Sequence, residues 1–244
     1  MSKIISQTKA IEDCSISVLN QCYELLCKEF AGVYFDNFVR DFNEKDVVML
    51  IEIDNKIVGF STLMLIDLPI PGRSVKAVFS GDTAVLREYR GSSGIGVEIG
   101  NFFIQTIKRF PSYEIYYVLI SKGWRTYRIL PSFFNDFSPR YDMSISDYDK
   151  SVMDTFGLVK YPNHYDPDSG LLVFNGDVER LKLESLDAVP PIKMDSHTDF
   201  FLKRNPDYLK GNELVCIARV TPKNFAGAMI RFIAHGDKKQ KEIL

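Results

Sequence analysis

Apolar positions recur along the chain with two periods, and the change from one to the other marks the elements. After Ser15, the residues Ile16, Leu19, Cys22, Tyr23, Leu26 and Phe30 fall three or four apart. That is the spacing of one helix face, with Ser15 or Ser17 able to cap its start. In Gly32 to Asn43, Tyr34, Phe35, Phe38 and Phe42 continue an aromatic stripe at helical spacing, which predicts core packing. Val47 to Ile53 and Ile57 to Leu68 are β-rich runs joined by Asp54-Asn55-Lys56, a compact turn whose residues tolerate the left-handed region, so a hairpin is predicted. Pro69, Pro71 and Gly72 stop the second strand, and Val75 to Leu86 supplies a third.

The third strand feeds a run from Arg87 to Gly100, after which Ile95, Ile99, Phe102, Phe103, Ile107 and Phe110 form a wide apolar helix face. Pro111 ends that helix, and Tyr113 to Ile120 is the near-continuous apolar run of a strand buried on both faces. A helix is predicted from Gly123 to Phe134, with Pro131 interrupting it near its end. Beyond Phe137 the pattern weakens. Asp142 to Asp154 reads as a polar, acidic loop, Leu171 to Phe174 as a short strand, and Val189-Pro190-Pro191 as a connector. Ser196 to Arg204 reads as a short helix capped by Ser196, and Leu214 to Val220 as a strand. Thr221-Pro222 opens a last helix, with Phe225, Met229, Phe232 and Ile233 on its apolar face and Gly236 at its end. The organisation expected is a domain over residues 1–180 and a C-terminal α/β extension over 181–244, packed on or beside it. The extension could close over an acceptor site or mediate self-association into a homo-oligomer.

Composition narrows the classes. A length of 244 residues with 45% hydrophobic content can bury a sizeable core. A formal net charge of -2 and scattered Lys and Arg give no footprint for nucleic acid. No stretch approaches the ~20 continuous apolar residues of a membrane span, and Met1 to Asp13 has no apolar signal-peptide core, so no membrane is expected and the expected compartment is the cytoplasm. Cys14, Cys22, Cys27 and Cys216 form no Cys-x-x-Cys pair and the histidines are far apart, so no metal is expected.

The candidate chemistry lies in the glycine run. Gly91, Gly94 and Gly96 let the backbone turn tightly, and the positive end of the following helix points at the same spot, which makes a cradle for phosphate or pyrophosphate. No Gly-Lys-Ser/Thr follows, which excludes a nucleotide-triphosphate loop. A dinucleotide fingerprint would need a third glycine where Ile99 stands, and it ranks third among the readings. A glycine-rich turn that only packs helix on sheet is the plain alternative.

The segment resembles the coenzyme A signature of the GNAT superfamily of N-acetyltransferases. There Arg or Gln, two residues, Gly, one residue, then Gly or Ala follow a central strand and open a helix. Arg90 stands one place early for Gly94 and Gly96, so either Gly91 takes the Arg position or the loop carries one extra residue. The order of three antiparallel strands, loop and helix over roughly residues 45 to 137 fits the same pattern. The resemblance implies a mixed α/β (α+β) fold with a largely antiparallel central sheet flanked by helices. It also implies acetyl-coenzyme A or another acyl-coenzyme A held by Val85, Leu86, Arg90, Gly91, Ser92, Ser93, Gly94, Ile95 and Gly96, with a backbone amide near Val85 meeting the thioester carbonyl. The strand splaying from the glycine-loop strand would leave a wedge for the pantetheine arm. Asp82, on the strand before the loop, is the candidate base. The family's usual tyrosine acid falls on Ser132, so Tyr127, one turn and more earlier, is the candidate substitute, with Tyr141 and Tyr165 open. The activity implied is transfer of an acyl group from coenzyme A to a primary amine on a small molecule or peptide, by direct attack. The alternative is a non-catalytic module of that fold that binds acyl-coenzyme A or serves assembly.

Overall fold

The computed structural model describes residues 4–92, 94–174, 178–185 and 188–243, with side chains as far as residue 236. The chain opens with β1 (Ile4–Ala10), α1 (Ile16–Glu29), the short β2 (Phe30–Ala31) and α2 (Phe35–Asn43). Three long strands follow, β3 (Val47–Ile53), β4 (Lys56–Leu68) and β5 (Val75–Val85), then α3 (Gly94–Arg109) and β6 (Glu114–Ser121). After them come α4 (Trp124–Tyr127), α5 (Ile129–Phe133), α6 (Asp147–Lys160), and the two-residue strands β7 (Tyr165–Asp166), β8 (Leu171–Leu172) and β9 (Arg180–Leu181). The end is α7 (Ser196–Arg204), β10 (Glu213–Arg219) and α8 (Gly227–Ile243).

Eight strands form one sheet in the order β1-β3-β4-β5-β6-β10-β8-β7, antiparallel except between β5 and β6. The mixed, largely antiparallel α/β architecture agrees with the sequence expectation. The β3-β4 hairpin closes through Asp54 and Asn55 at φ 49° and 62°, which is how a two-residue turn matches strand twist.

Alternation along the strands sorts side chains to two faces. Val48, Leu50, Phe60 and Ala84 face α1 and α2, meeting Cys22, Leu25, Leu26, Phe38 and Phe42, so the aromatic stripe of α2 is core. Farther along the same sheet, Ala77, Phe79, Tyr116 and Val118 meet Val152, Met153 and Phe156 of α6. On the opposite face Met49, Leu63, Val78, Tyr117 and Leu119 pack with Ile99 and Phe103 of α3, Tyr127, Leu130, Phe201 and Met229.

Several boundaries differ from expectation for physical reasons. β1 went unread because half its residues are polar; it pairs at the sheet edge along all of β3. The helix expected over 123–134 is two short ones separated at Arg128, because Pro131 has no N–H to donate back to Tyr127. The acidic loop from Asp142 becomes α6 from Asp147, capped by Ser146, whose hydroxyl accepts from the Asp149 amide. The cap of α7 is Asp195, accepting from Thr198 N at 2.8 Å, in place of Ser196. The expected strand over Leu171 to Phe174 shrinks to two residues. Within the extension expected over 181–244, β10 is an interior strand of the sheet, paired with β6 from Leu214↔Ser121 to Arg219↔Tyr116.

Gly236 does not end the last helix. It lies inside α8, where a Cβ would fall 2.1 Å from Asn101 of α3. Gly96 and Gly100 of α3 face Phe232, Ile233 and Met229 of α8 in the same way, a Cβ on Gly96 falling 2.4 Å from the Phe232 ring. Absent side chains on both helices let their axes approach closely.

Phe103 joins these layers. It is fully buried, with ring centroids 5.2 Å from Tyr117, 5.9 Å from Phe134 and 6.2 Å from Phe225. Replacing Phe103 by Ala should cost about 3–5 kcal/mol in a denaturant titration. A cost below about 1 kcal/mol would show that this cluster is not the centre of the core.

Candidate active site

The site grows from one irregularity. β5 and β6 run in parallel register from Val75↔Glu114 to Ser80↔Leu119 and then part. Beyond that point β5 pairs only with β4, and β6 continues against β10. At the parting β5 carries a bulge: Thr83 lies opposite Ser61 and Ser80 opposite Leu63, so Gly81 and Asp82 share the place facing Thr62. Gly81 has no room for a side chain, since a Cβ would fall 2.5 Å from Thr62 Oγ1 and 2.6 Å from Lys45 Cε. The bulge turns the next residue, Asp82, out of the regular pleat.

Asp82 enters a charged cluster drawn from six separate parts of the chain. Lys45, 4% exposed, follows α2 and donates to Asp41. Lys122, immediately after β6, reaches Glu179 at 2.6 Å and Glu213, the first residue of β10, at 3.2 Å. Its ammonium also lies 5.1 Å from the centre of the Phe30 ring. Although part of Asp82 remains open to solvent, the atoms around its carboxyl desolvate it and push its pKa well above the usual carboxylate range. Glu179 and Asp41 push the same way, while Lys122 and Lys45 oppose. Burial alone would lower Lys122, but the carboxylates of Glu179, Glu213 and Asp82 outweigh it and hold the ammonium protonated. Burial also raises Glu213 against the pull of Lys122. Tyr161, at the C-terminal end of α6, is held far up by burial and then by Glu213, Asp41, Asp82 and Glu44.

The glycine turn follows β5 directly. Gly91 has φ 91°, in the left-handed region, with nothing within 4 Å of where a Cβ would stand. Ser92 has a buried hydroxyl with no partner among the described residues, and Ser93 lies outside them. An orphaned hydroxyl beside an open glycine at the head of a 16-residue helix fits an anionic guest. The neighbouring residues also make contacts within the fold. Gly94 packs on Ile51 and Ser6, Gly96 on Phe232, Ile95 against the core, and the Leu86 amide donates to Val58 O at 2.9 Å. The Arg90 side chain is turned inward, Nε donating to Val85 O at 3.1 Å and Nη2 pairing with Glu29 at 2.7 Å.

Tyr127 lies apart from this cluster. Its ring is fully buried among Phe137, Phe200 and Phe201, its hydroxyl donates to Pro139 O at 2.8 Å, and burial pushes its pKa up. No interaction joins it to Asp82 among the described residues. Tyr141 and Tyr165 likewise have other neighbours: Tyr141 stacks edge-on with His197, and Tyr165 donates to Asp154 at 2.7 Å. The residues whose charges act on Asp82, namely Asp41, Lys45, Lys122 and Glu179, and the two joined to them, Tyr161 and Glu213, were missed by sequence reasoning. The only local signals were a lysine closing the doubly buried run of β6 and a glutamate opening the apolar β10.

The sequence matches no protein-family model and no curated protein. Partial likeness is found among solved structures. A probable N-acyltransferase from Enterococcus faecalis aligns at 14% identity and TM-score 0.41 over 54% of this chain and 33% of that one. A GCN5-related N-acetyltransferase from Kribbella flavida aligns at 14% and 0.39 over 56% of this chain and 34% of that one. Glucosamine-6-phosphate N-acetyltransferase from Arabidopsis thaliana aligns at 18% and 0.37 over 59% of this chain and 98% of that one. The aligned part of this chain thus spans about a third of the first two. Likeness at this level assigns no role to any residue here.

The direction of the Asp82 shift fixes a pH dependence. A carboxyl raised in the folded state favours folding while protonated, so its contribution is complete below the unfolded value of ~4 and is lost as pH rises through the folded value. Asp82→Asn should therefore be more stable than the wild type at neutral pH, with the difference shrinking as pH falls. Paired thermal melts at several pH values, with Asp41, Lys45, Lys122, Tyr161, Glu179 and Glu213 intact in both, measure it. A difference that grows on acidification would reverse the assignment.

Proposed function

We propose that this chain is an N-acyltransferase of the GNAT type, moving an acyl group from coenzyme A to a primary amine by direct attack. One observation carries the reading: a desolvated carboxyl, Asp82, stands at a bulge where two parallel strands part, on the strand that runs into a glycine turn and helix. A tightly turned backbone and a helix N-terminus suit the pyrophosphate, and the gap between β5 and β6 suits an extended arm. In the transfer the amine nitrogen gives up a proton, forms the bond to the acyl carbon, and the carbon–sulfur bond breaks to leave a thiolate that takes up a proton. A carboxyl with a raised pKa is a stronger base than a solvated one, and Asp82 is assigned the first proton. Return of a proton to sulfur is left to the same cluster, where the proton taken up by Asp82 is at hand; Tyr161, pushed up by the same carboxylates, is the weaker acid. The reading places the protein in the cytoplasm, acting on a small-molecule or peptide amine.

A second reading, a non-catalytic module that binds acyl-coenzyme A, draws on the inward Arg90, held by Glu29 and the Val85 carbonyl, and on Tyr127 lying in the core.

Thermal-shift titration with acetyl- and longer acyl-coenzyme A should raise the melting temperature, since a ligand that binds only the folded state stabilises it by mass action. Free-thiol release with a panel of primary amines then separates the readings. Asp82→Asn should cut kcat by about 10²–10⁴-fold while leaving the coenzyme-induced shift in place. No shift with any coenzyme A species would overturn both readings, and a shift with no transfer to any amine would favour the module.

A further inference from the structure

The cluster around Asp82 is not charge-balanced, and the imbalance says something about the acceptor. Four carboxyls, Asp41, Asp82, Glu179 and Glu213, face two ammonium groups, Lys45 and Lys122. Lys45 pairs with Asp41. Lys122 bridges Glu179 and Glu213, and one cation offsets only one of the two. Among the described residues two carboxyls are left in surplus, Asp82 itself and one of the glutamates. Surplus buried charge is costly unless it is protonated or paired. Nor is the cluster sealed: the side chains of Asp41 and Glu179 keep 38% and 24% of their surface exposed, so a solute can reach it from that rim.

A second, independent observation marks the inner end of the cluster. Thr62 is 1% exposed, and its Oγ1 has no hydrogen-bond partner among the described residues. That oxygen stands at the bulge beside Lys45 Cε and Gly81, the residue that precedes Asp82. A buried hydroxyl normally finds a partner, and an N–H donor arriving at the bulge would supply one.

We propose that the cluster binds an aliphatic amine bearing a second cationic centre, one ammonium at Asp82 and the other at the Glu179–Glu213 pair. For its catalytic meaning this rests on the acyltransfer reading above; as a binding site it stands alone. A monoamine would match the reacting position and leave the second carboxylate uncompensated. An amine with a carboxylate at its far end would add a like charge.

The test uses three probes of equal length that differ only at the far end: 1,4-diaminobutane, 1-aminobutane and 4-aminobutanoate, each titrated calorimetrically into the full chain. The diamine should bind at least about tenfold more tightly than the monoamine, with the amino acid weakest and the preference shrinking in high salt. Glu179→Gln and Glu213→Gln, made separately so that one misfolded variant does not end the test, should each bring the diamine down toward the monoamine and leave monoamine binding within about twofold. Equal binding of the three probes, preference for the amino acid, no binding at all, or a diamine preference that survives both substitutions would each overturn the proposal. Acyl-coenzyme A shifts recorded on the same preparations keep the two ideas apart. Coenzyme binding without diamine preference removes this inference alone, and diamine preference without coenzyme binding removes the acyltransferase alone.

Discussion

The parting of β5 from β6 after Ser80 and Leu119 is the constraint on which the site depends. Parallel strands hold their register through evenly spaced hydrogen bonds, and the extra residue at Gly81-Asp82 ends that pairing on the β5 side. On the β6 side β10 takes over, so the strand loses one partner while keeping the other. The parting stays open because both strands are anchored outward, β5 by β4 and β6 by β10. The polar groups gathered there are the chain's answer to an opening in an otherwise apolar sheet. They come from the end of α2, the bulge of β5, the end of β6, the end of α6, the segment before β9 and the start of β10.

The regular half of this architecture was legible because it obeys short-range rules. The helix faces of α1 and α3, the β3-β4 hairpin and the doubly buried β6 all carry their period in adjacent residues. The glycine turn was legible for the same reason. What was not legible depends on contacts far apart in sequence. Lys122 is one charged residue after a strand until Glu179 and Glu213 are brought to it, 57 and 91 positions later. Nor does period distinguish a tyrosine that packs from one that reacts: Tyr127 and Tyr161 each lie near helix ends, and only the fold sends the first into the core and the second toward Asp82. Gly236 reads as a stop because a glycine that ends a helix and one that makes room for a neighbour look alike without the neighbour.

The two faces of the sheet divide the labour. Helices α3 and α8 meet across Gly96, Gly100 and Gly236 so closely that the glycine turn is braced from behind by the C-terminal helix. On the opposite face, α2 and α6 bring Asp41, Lys45 and Tyr161 toward Asp82. The turn is therefore held by packing and the charged cluster by ion pairs. Salt and pH should act on the second far more than on the first.

The position of β10 has a consequence for how the molecule is made. Until residue 219 has been synthesised, β6 is an edge: a long apolar strand with one side of its backbone unsatisfied, some hundred residues after its own synthesis. Such an edge is a template for pairing with another chain. The nascent protein must carry that exposed strand while about a hundred further residues are made, so a shortage of chaperones, or a stop codon ahead of Glu213, would lead toward aggregation before any defect in chemistry could be seen.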